Sequence, residues 1–203
     1  MLTKILKIKG DWIEVLTDCR ATVGKEALTK DPSVKFKKKI LISEHSPIRD
    51  ISFKWFWEAI PHWVGVHYVR HKWEKFVRTQ REDRTGIPRN KLPQDEPQNF
   101  TGEANIQHLI DTSRKRLCFT ASPETREYWE DLKLTVREIE PEIADVMVPN
   151  CVYRCGCPEM DGCEFWNNLM KETHGAILCC DIQTRYDLYN EIFYSKHEVK
   201  HEQ

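Results

Sequence analysis

The sequence predicts an α/β (α+β) fold in which helices flank a central, mostly antiparallel sheet. Apolar and polar residues alternate through residues 4–16 and again from Ile51 to Trp57, as they do in strands with one buried face. Other segments repeat their apolar residues every three or four positions, which is the period of an amphipathic helix. Both periods occur within 203 residues, a length that suits one globular domain of ordinary size.

The first elements are predicted from turn and start signals. Residues 4–16 alternate around Lys9-Gly10-Asp11, so we expect two strands joined by a tight turn, followed by a short helix or turn at residues 17–23. Asp31-Pro32 is a start signal for a helix that we expect to run to residue 43. The strand from Ile51 comes next, and Pro61 would open a helix after it.

A basic stretch follows that helix start, and its residues suit a phosphate site. On the helix, His67, Arg70 and His71 would share one face. Farther on, the pattern predicts a strand that sends Thr79 and Arg81 to one side of the sheet. A hydroxyl beside a guanidinium group suits a dianionic phosphate, because the guanidinium can donate two parallel hydrogen bonds. The alternative is a solvated basic turn with ordinary surface charges.

The second half of the chain is predicted as a long loop and three helices. Residues 82–104 are rich in proline and show little periodicity, so we expect a loop that could cover an active site. Residues 105–118 predict an amphipathic helix with Asn105 and Arg116 on one stripe. A helix that starts at Ser122-Pro123 is expected to bury Trp129, Leu132, Val136 and Ile139. A last helix is expected from Asp181 to about Ser195, with Ile182, Tyr186, Tyr189 and Phe193 buried.

Composition argues against several functional classes. The net charge is −1 and the isoelectric point about 6.7, whereas a protein that coats DNA or RNA needs a broad basic surface. No apolar run reaches the roughly 20 residues of a membrane span, and the N-terminal residues lack the features of a signal peptide. We therefore expect a cytoplasmic protein that binds neither nucleic acid nor membrane.

Cysteines are concentrated in one segment of the sequence. Four of the eight lie in CVYRCGCPEMDGC, residues 151–163. Thiolates at this density can bind zinc, yet the segment contains no Cys-x-x-Cys pair. Two interpretations stay open, a structural metal held by Cys151, Cys155, Cys157 and Cys163, or reduced and partly buried thiols. No residue is assigned as a metal ligand from the sequence alone.

The order of several segments resembles the flavin-dependent thymidylate synthases. The hallmark of that family is Arg-His-Arg, a spacer and Ser-x-Arg, and here Arg70-His71-Lys72 is followed by Thr79-Gln80-Arg81. Lys72 replaces the third hallmark residue, Thr79 replaces the serine, and the spacer is one residue short. Upstream, Arg20-Ala21-Thr22 is similar to the family's Arg-Val-Ser near the first helix. His45-Ser46-Pro47 is similar to its His-x-Ser/Thr-Pro segment, although the family His falls where this chain has Glu44.

Downstream matches extend the resemblance over about half of the chain. Leu92-Pro93 and Asn105 keep the spacing between the family's Leu-Pro and its Asn-x-Arg helix, with Gln107 in place of the Arg. The family usually has a helical segment before the Leu-Pro, where this chain has only residues 82–91, so the resemblance implies a compact member of the kind associated with bacteriophage genomes. We accordingly expect a synthase-like domain at residues 1–148, with the Cys-rich segment and C-terminal helix of residues 149–203 packed on it.

The resemblance implies an enzyme that converts dUMP to dTMP with FAD as cofactor and with methylenetetrahydrofolate and NADPH as co-substrates. A reduced flavin would carry the one-carbon unit to C5 of the pyrimidine and then supply hydride, so no protein nucleophile is required. A homotetramer with active sites shared between subunits is also implied. The departures from the hallmark leave two alternatives: the same fold acting on another pyrimidine nucleotide, such as dCMP or a modified base, and a non-catalytic nucleotide-binding protein.

The matched positions imply the site residues. Those implied to bind the flavin are Thr22, His45, Ser46, Arg70, His71, Lys72, Asn105 and Gln107. Those implied to bind the nucleotide substrate are His67, Arg70, Thr79, Gln80, Arg81 and Arg116. Arg116 is the implied catalytic residue, because a fixed cation beside the uracil would stabilise negative charge as C5 becomes nucleophilic. Ordinary polar roles for His45 and His67, and an exposed helix cation at Arg116, are the alternatives.

Overall fold

The computed structural model describes residues 2–198 of the chain. Its strands are β1 (Thr3–Lys9), β2 (Ser52–Pro61), β3 (Glu74–Val77) and β4 (Pro97–Asn105). Its α-helices are, in chain order, α1 (Trp12–Ala21), α2 (Val34–Ile42), α3 (His62–Tyr68), α4 (Glu82–Thr85), α5 (Ile106–Arg116), α6 (Pro123–Ile139), α7 (Pro141–Asp145), α8 (Asn150–Arg154), α9 (Phe165–Glu172) and α10 (Ile182–Glu198). None of the described helices combines the length and the apolar character that a membrane crossing requires.

The internal contacts of the chain divide it into two compact units. The first unit contains the chain up to Pro32 together with Ser46–Leu109, and the second contains Ser33–His45 together with the chain from Ile110 onward. The division into residues 1–148 and 149–203 rests on sequence likeness and stays a prediction.

A four-stranded antiparallel sheet forms the centre of the first unit, with the strand order β1-β2-β4-β3. The predicted fold class, an α+β chain with an antiparallel sheet flanked by helices, is confirmed. The predicted strand from Ile51 is also confirmed. In β2, Phe53, Trp55 and Trp57 are fully buried while the intervening residues are partly exposed, because alternate side chains of a strand point to opposite faces.

Aromatic rings fill the buried face of this sheet. The Trp55 ring lies 5.6 Å from that of Trp57 and 5.0 Å from that of Trp73, measured between centroids. Gly102 of β4 pairs with Trp55 of β2, and a Cβ atom at Gly102 would lie 2.3 Å from Cζ2 of the Trp55 ring. The ring therefore occupies the space that a side chain at position 102 would need.

The predicted N-terminal hairpin is wrong, because only β1 is a strand and the segment after the turn is helix α1. The Asp11 side chain accepts hydrogen bonds from the backbone N–H groups of Ile13 and Glu14, at 2.8 and 2.9 Å, and so caps that helix. Trp12 and Val15 then fall on its buried side, three residues apart. The alternating pattern of residues 12–16 also fits one short amphipathic helix, and the cap decides between the two structures.

The helix and strand predicted around the basic stretch end earlier than expected. Helix α3 ends at Tyr68, so Arg70 and His71 lie beyond it and do not share its face with His67. Strand β3 ends at Val77, so Thr79 and Arg81 lie beyond it and are not directed by the pleat. Both predictions are corrected. The reason is that β3 pairs with β4 only from Glu74 to Val77, and pairing sets the length of a strand.

Strand β4 and the short helix α4 both lie inside the segment that was predicted as a loop, so that prediction is wrong for residues 97–104 and for Glu82–Thr85. Gln98, Phe100, Gly102 and Ala104 alternate as the buried residues of the strand. Only Phe100 and Thr101 are residue types enriched in strands, so the sequence pattern is weak. Pairing with β2 on one side and β3 on the other stabilises the strand instead.

Helices make up the second unit, and the main predictions for it are confirmed. Ser122 caps α6 by accepting from the backbone N–H of Thr125. The predicted core residues Trp129, Leu132 and Val136 of α6 are buried, but Ile139 is 43% exposed, so its predicted burial is wrong. In α10, Tyr186, Tyr189 and Phe193 are buried as predicted, whereas Ile182 is only half-buried.

A fully buried lysine lies at the centre of this unit. The Lys133 ammonium group donates to the Met147 carbonyl at 2.8 Å and to Oδ1 of Asn190 at 2.6 Å. It also lies 4.9 Å from the ring centroid of Tyr189 and 4.6 Å from that of Phe193. Burial, the largest cause, lowers the pKa of Lys133 well below its usual value.

Arg185 connects α10 to the end of α8. Its Nε donates to the Val152 carbonyl at 2.6 Å and its Nη2 donates to the Tyr153 carbonyl at 3.0 Å. The side chain is 8% exposed. These bonds satisfy carbonyls that the short helix α8 cannot satisfy internally, and they fix the helix that carries Cys151.

Candidate functional site

Two of the predicted flavin-binding residues lie together in an open depression of the first unit. Thr22 follows the end of α1, and Ser46 begins the 3-10 helix Ser46–Asp50. They line a depression of about 650 Å³, whose remaining lining residues are Asp18, Ala21, Pro47, Arg49 and Asp50. A volume between about 300 and 1,000 Å³ is ordinary for a small-molecule site.

A pair of carboxyl groups gives this depression its charge. Burial raises the pKa of Asp50, and the nearby charge of Asp18 and a hydrogen bond between the two side chains raise it further. The Glu14 charge acts in the same direction. Arg49 supplies a cation on the same lining. The depression therefore offers both an acceptor pair for N–H or O–H groups and one guanidinium group for an anion.

Asn105 lies at the sheet end that leads to this depression. It pairs with Ser52 at the start of β2, and the backbone N–H of Ile106 donates to the Ile51 carbonyl at 3.1 Å. The Asn105 side chain accepts from the backbone N–H of His108 at 2.9 Å, so it already serves to cap helix α5. Gln107 lies in the first turn of that helix and is half-buried.

The first half of the hallmark match, residues 70–72, precedes β3 at the same end of the sheet as Asn105. This follows because Glu74, the first residue of β3, pairs with Glu103 near the end of β4. Arg70 and Lys72 are exposed, and the His71 ring stacks on Trp73 with 6.4 Å between centroids.

The second hallmark residues lie at the opposite end of β3. Thr79 and Gln80 line a small cavity together with Arg78, Thr85, Ile87, Leu92, Glu96 and Gln98. Its volume of about 10 Å³ suffices for one water molecule and is too small for a phosphate. The strand between the two hallmark halves spans about 13 Å at 3.3 Å per residue, so they do not form one clamp in this unit.

Arg81 already has an anionic partner. Its Nε and Nη2 donate to the two carboxylate oxygens of Asp83, at 3.0 and 2.8 Å. The side chains are 62% and 58% exposed, so the pair is accessible to solvent and weak. A phosphate dianion would compete with the Asp83 carboxylate for this guanidinium group.

The other predicted site residues are placed as follows. His67 lies on α3, and its ring centroid is 5.5 Å from that of Trp63, in an edge-to-face arrangement. His45 is exposed after α2 and belongs to the second unit. Arg116 is the last residue of α5, is half-buried, and also belongs to the second unit. Their predicted roles stay predictions.

Sequence reasoning missed an ion pair at Glu44, the residue that the resemblance aligns with the family His. Glu44, which occupies that position, pairs with Arg114 of α5, and the Arg114 guanidinium lies 3.7 Å from the ring centroid of Tyr153. Asp111 is a second carboxylate partner of Arg114, at 3.2 Å. The mismatch at Glu44 was a signal in the sequence, but its partner is 70 residues away and only the fold identifies it.

Among the described residues, no three His, Cys, Asp or Glu side chains already surround a position that could hold a metal ion. No protein-family model and no curated protein matches the chain. A solved structure that it resembles is that of the UMP/dUMP methylase PolB from Streptomyces cacaoi bound with 5-Br dUMP. The identity is 13% and the TM-score 0.56, over 71% of this chain and 93% of that chain. The chain therefore shares the fold of this methylase over nearly the whole of the methylase's length.

Proposed function

We propose that the protein is a flavin-dependent enzyme that methylates C5 of a pyrimidine nucleotide, with dUMP as substrate and dTMP as product. The observation that carries the proposal is the agreement between the residue pattern and the fold comparison. The residue pattern resembles the flavin-dependent thymidylate synthases, and the fold resembles that of a protein described as a UMP/dUMP methylase.

The depression around Thr22 and Ser46 fits part of a flavin cofactor. Hydroxyl groups, the Arg49 guanidinium and the Asp18–Asp50 pair can satisfy the hydroxyl, phosphate and N–H groups of such a molecule. FAD, when bound, would supply one-carbon transfer from methylenetetrahydrofolate and hydride to the pyrimidine, with NADPH as reductant. The protein's part is to bind, to orient and to place charge.

The phosphate of the nucleotide would be held by residues beyond β3. Thr79 and Arg81 provide a hydroxyl and a guanidinium group for the phosphate, and Arg81 would exchange Asp83 for that phosphate. Arg116 would place a cation against the oxygen atoms of the pyrimidine and stabilise the negative charge that develops on the ring. The active site would be completed within a homotetramer, which light scattering on the purified protein tests.

The absorbance spectrum of the purified protein is the first experiment. Bound flavin that bleaches with NADPH, followed by conversion of dUMP to dTMP with methylenetetrahydrofolate, is the expected result. Replacing Arg116 by Gln should then lower kcat while the flavin spectrum stays unchanged. A protein that binds no flavin when FAD is supplied would refute the proposal.

UMP is a second candidate substrate, because the structural neighbour is a UMP/dUMP methylase. The altered hallmark, with Lys72, Thr79 and a shorter spacer, also keeps dCMP as a candidate. Incubation with dUMP, UMP and dCMP in separate reactions, with product masses measured, distinguishes them. Binding of a nucleotide without any turnover would instead favour a non-catalytic nucleotide-binding protein.

A further inference from the structure

A turn at residues 69–73 joins α3 to β3 and carries the first half of the hallmark match. The backbone carbonyl groups of His71 and Trp73 both accept hydrogen bonds from Nζ of Lys75, the second residue of β3. An ammonium group has three N–H donors, so one side chain can bind two carbonyl groups at once. Lys75 therefore ties both the middle and the end of the turn to the strand that follows.

Lys75 lies on the aromatic face of the sheet, where an ammonium group is unusual. It pairs with Gly102, whose partner on the other side is Trp55. Lys75 is half-buried, whereas Phe76, which points to the opposite face, is 59% exposed. Its Nζ lies 4.9 Å from the centroid of the Trp73 ring. Burial, the largest cause, lowers the pKa of Lys75. The side chain thus gives up hydration that a long lysine stem usually preserves, and the two carbonyl groups replace that water.

The Trp73 ring is a second anchor of the same turn. Its side chain is 6% exposed, and its ring centroid lies 5.0 Å from that of Trp55 and 6.1 Å from that of Phe100. By contrast, Arg70 and Lys72 of the turn are exposed. Two cationic side chains therefore extend into solvent from a backbone that is held at its end by the aromatic core and by the Lys75 ammonium group.

We propose that Lys75 is a positioning residue, which holds the turn so that Arg70 and Lys72 present their charges to the flavin in one fixed arrangement. The flavin part of this inference rests on the proposed function. Lys75 acts through the turn and not by touching the flavin, because its ammonium group is engaged with the two carbonyl groups. A binding group that is held in place before the ligand arrives loses less conformational entropy on binding, so loss of the anchor should weaken binding.

Trypsin cleavage of the folded protein tests the anchor without any flavin. Trypsin cuts after Arg and Lys, and Arg70 and Lys72 are both exposed in the turn. Cleavage of a folded protein requires local opening, so its rate follows the population of the open turn. Lys75→Met should be cut after Arg70 or Lys72 at least about 10-fold faster than wild type, because two charge-assisted hydrogen bonds are lost. Cleavage positions would be mapped by mass spectrometry.

Lys54→Met is the matched control for this experiment. Lys54 is also a half-buried lysine of the sheet, its Nζ lies 5.5 Å from the centroid of the Phe76 ring, and its ion-pair partner is Glu103 and not the turn. Its cleavage rate within the turn should stay within about two-fold of wild type. Circular dichroism would show that each variant is folded, and Lys75→Gln, whose amide is neutral, is a second variant that should change the rate in the same direction as Lys75→Met.

The affinity for FAD tests whether the turn acts through its cations. Lys75→Met should weaken FAD binding by about 10-fold, and in an Arg70→Gln background its effect should fall to about three-fold or less, because one of the positioned cations is already absent. A merely structural role would weaken binding equally in both backgrounds. That equality, or equal tryptic rates for Lys75→Met and Lys54→Met, would overturn the proposal. A wild-type protein that binds no FAD would refute the proposed function, and the tryptic rates would still decide whether Lys75 holds the turn.

Discussion

Gly102→Ala provides the sharpest test of how the sheet is packed. The added Cβ atom would lie 2.3, 2.6 and 2.8 Å from three atoms of the Trp55 ring. An ordinary contact between carbon atoms is about 3.5 Å, so about 1.2 Å of overlap has to be relieved at the nearest atom. The ring cannot move freely, because it is fully buried between Trp57 and Trp73.

The expected cost of this substitution is about 3 kcal/mol. Overpacking of a core costs about 1–3 kcal/mol, and overlap with three atoms of a fixed ring places this case at the upper end. For a chain of this size, each kcal/mol lowers Tm by about 2–4 °C, so we expect a decrease of about 6–12 °C. The same decrease in Tm should be measured by Trp fluorescence and by far-UV circular dichroism, because Gly102 lies on a strand of the sheet and contacts Trp55.

Urea and thermal unfolding of four variants would measure this cost. Gly156→Ala is the control, because a Cβ atom there has no neighbour within 4 Å, and it should change stability by less than about 0.5 kcal/mol. Trp55→Phe removes the ring atoms that overlap, so adding Gly102→Ala to that variant should cost less than about 1 kcal/mol. The reasoning fails if Gly102→Ala is as stable as the control, or if its cost is the same in both backgrounds.

Three further predictions concern charged groups. Asp83→Asn should tighten binding of dUMP by up to about 5-fold, because the Asp83 carboxylate competes with the phosphate for Arg81 and an exposed ion pair of this kind contributes up to about 1 kcal/mol. An unchanged affinity in calorimetric titration would contradict this prediction. The pKa of Asp50 is higher in the folded state than in the unfolded state, so the folded protein binds the proton more tightly. Above that pKa the charged carboxylate therefore lowers the free energy of unfolding, and this loss disappears as the pH falls through the pKa. Asp50→Asn should therefore be more stable than wild type in urea near about pH 7 but not near about pH 4, and a pH-independent difference would contradict the assignment. Lys133→Ala should lower the free energy of unfolding by about 2–5 kcal/mol, because it leaves a cavity and two buried acceptors without a donor. Lys133→Met should lower it less, since the Met side chain fills the cavity. Equal losses in urea unfolding would argue against the cavity.

Part of the candidate site was predictable from the sequence. Thr22 and Ser46 were chosen at positions 24 residues apart, and the fold places both on the lining of one depression. The carboxyl pair of Asp18 and Asp50 on the same lining was not found, because no local pattern connects two acidic residues in different segments. Likewise, the two halves of the basic stretch were expected to form one clamp, but β3 separates them.

Local periodicity and end signals in the sequence were enough to determine β2, α2, α5, α6 and α10, since the information for each lies within one or two turns or within alternate residues of one strand. The tertiary structure alone decided β4 and the lengths of α3 and β3, because partner strands satisfy their backbone groups. It also decided that the Glu44 carboxylate pairs with the Arg114 guanidinium. These two residues are 70 positions apart in the chain, and only folding brings their charges within reach of each other.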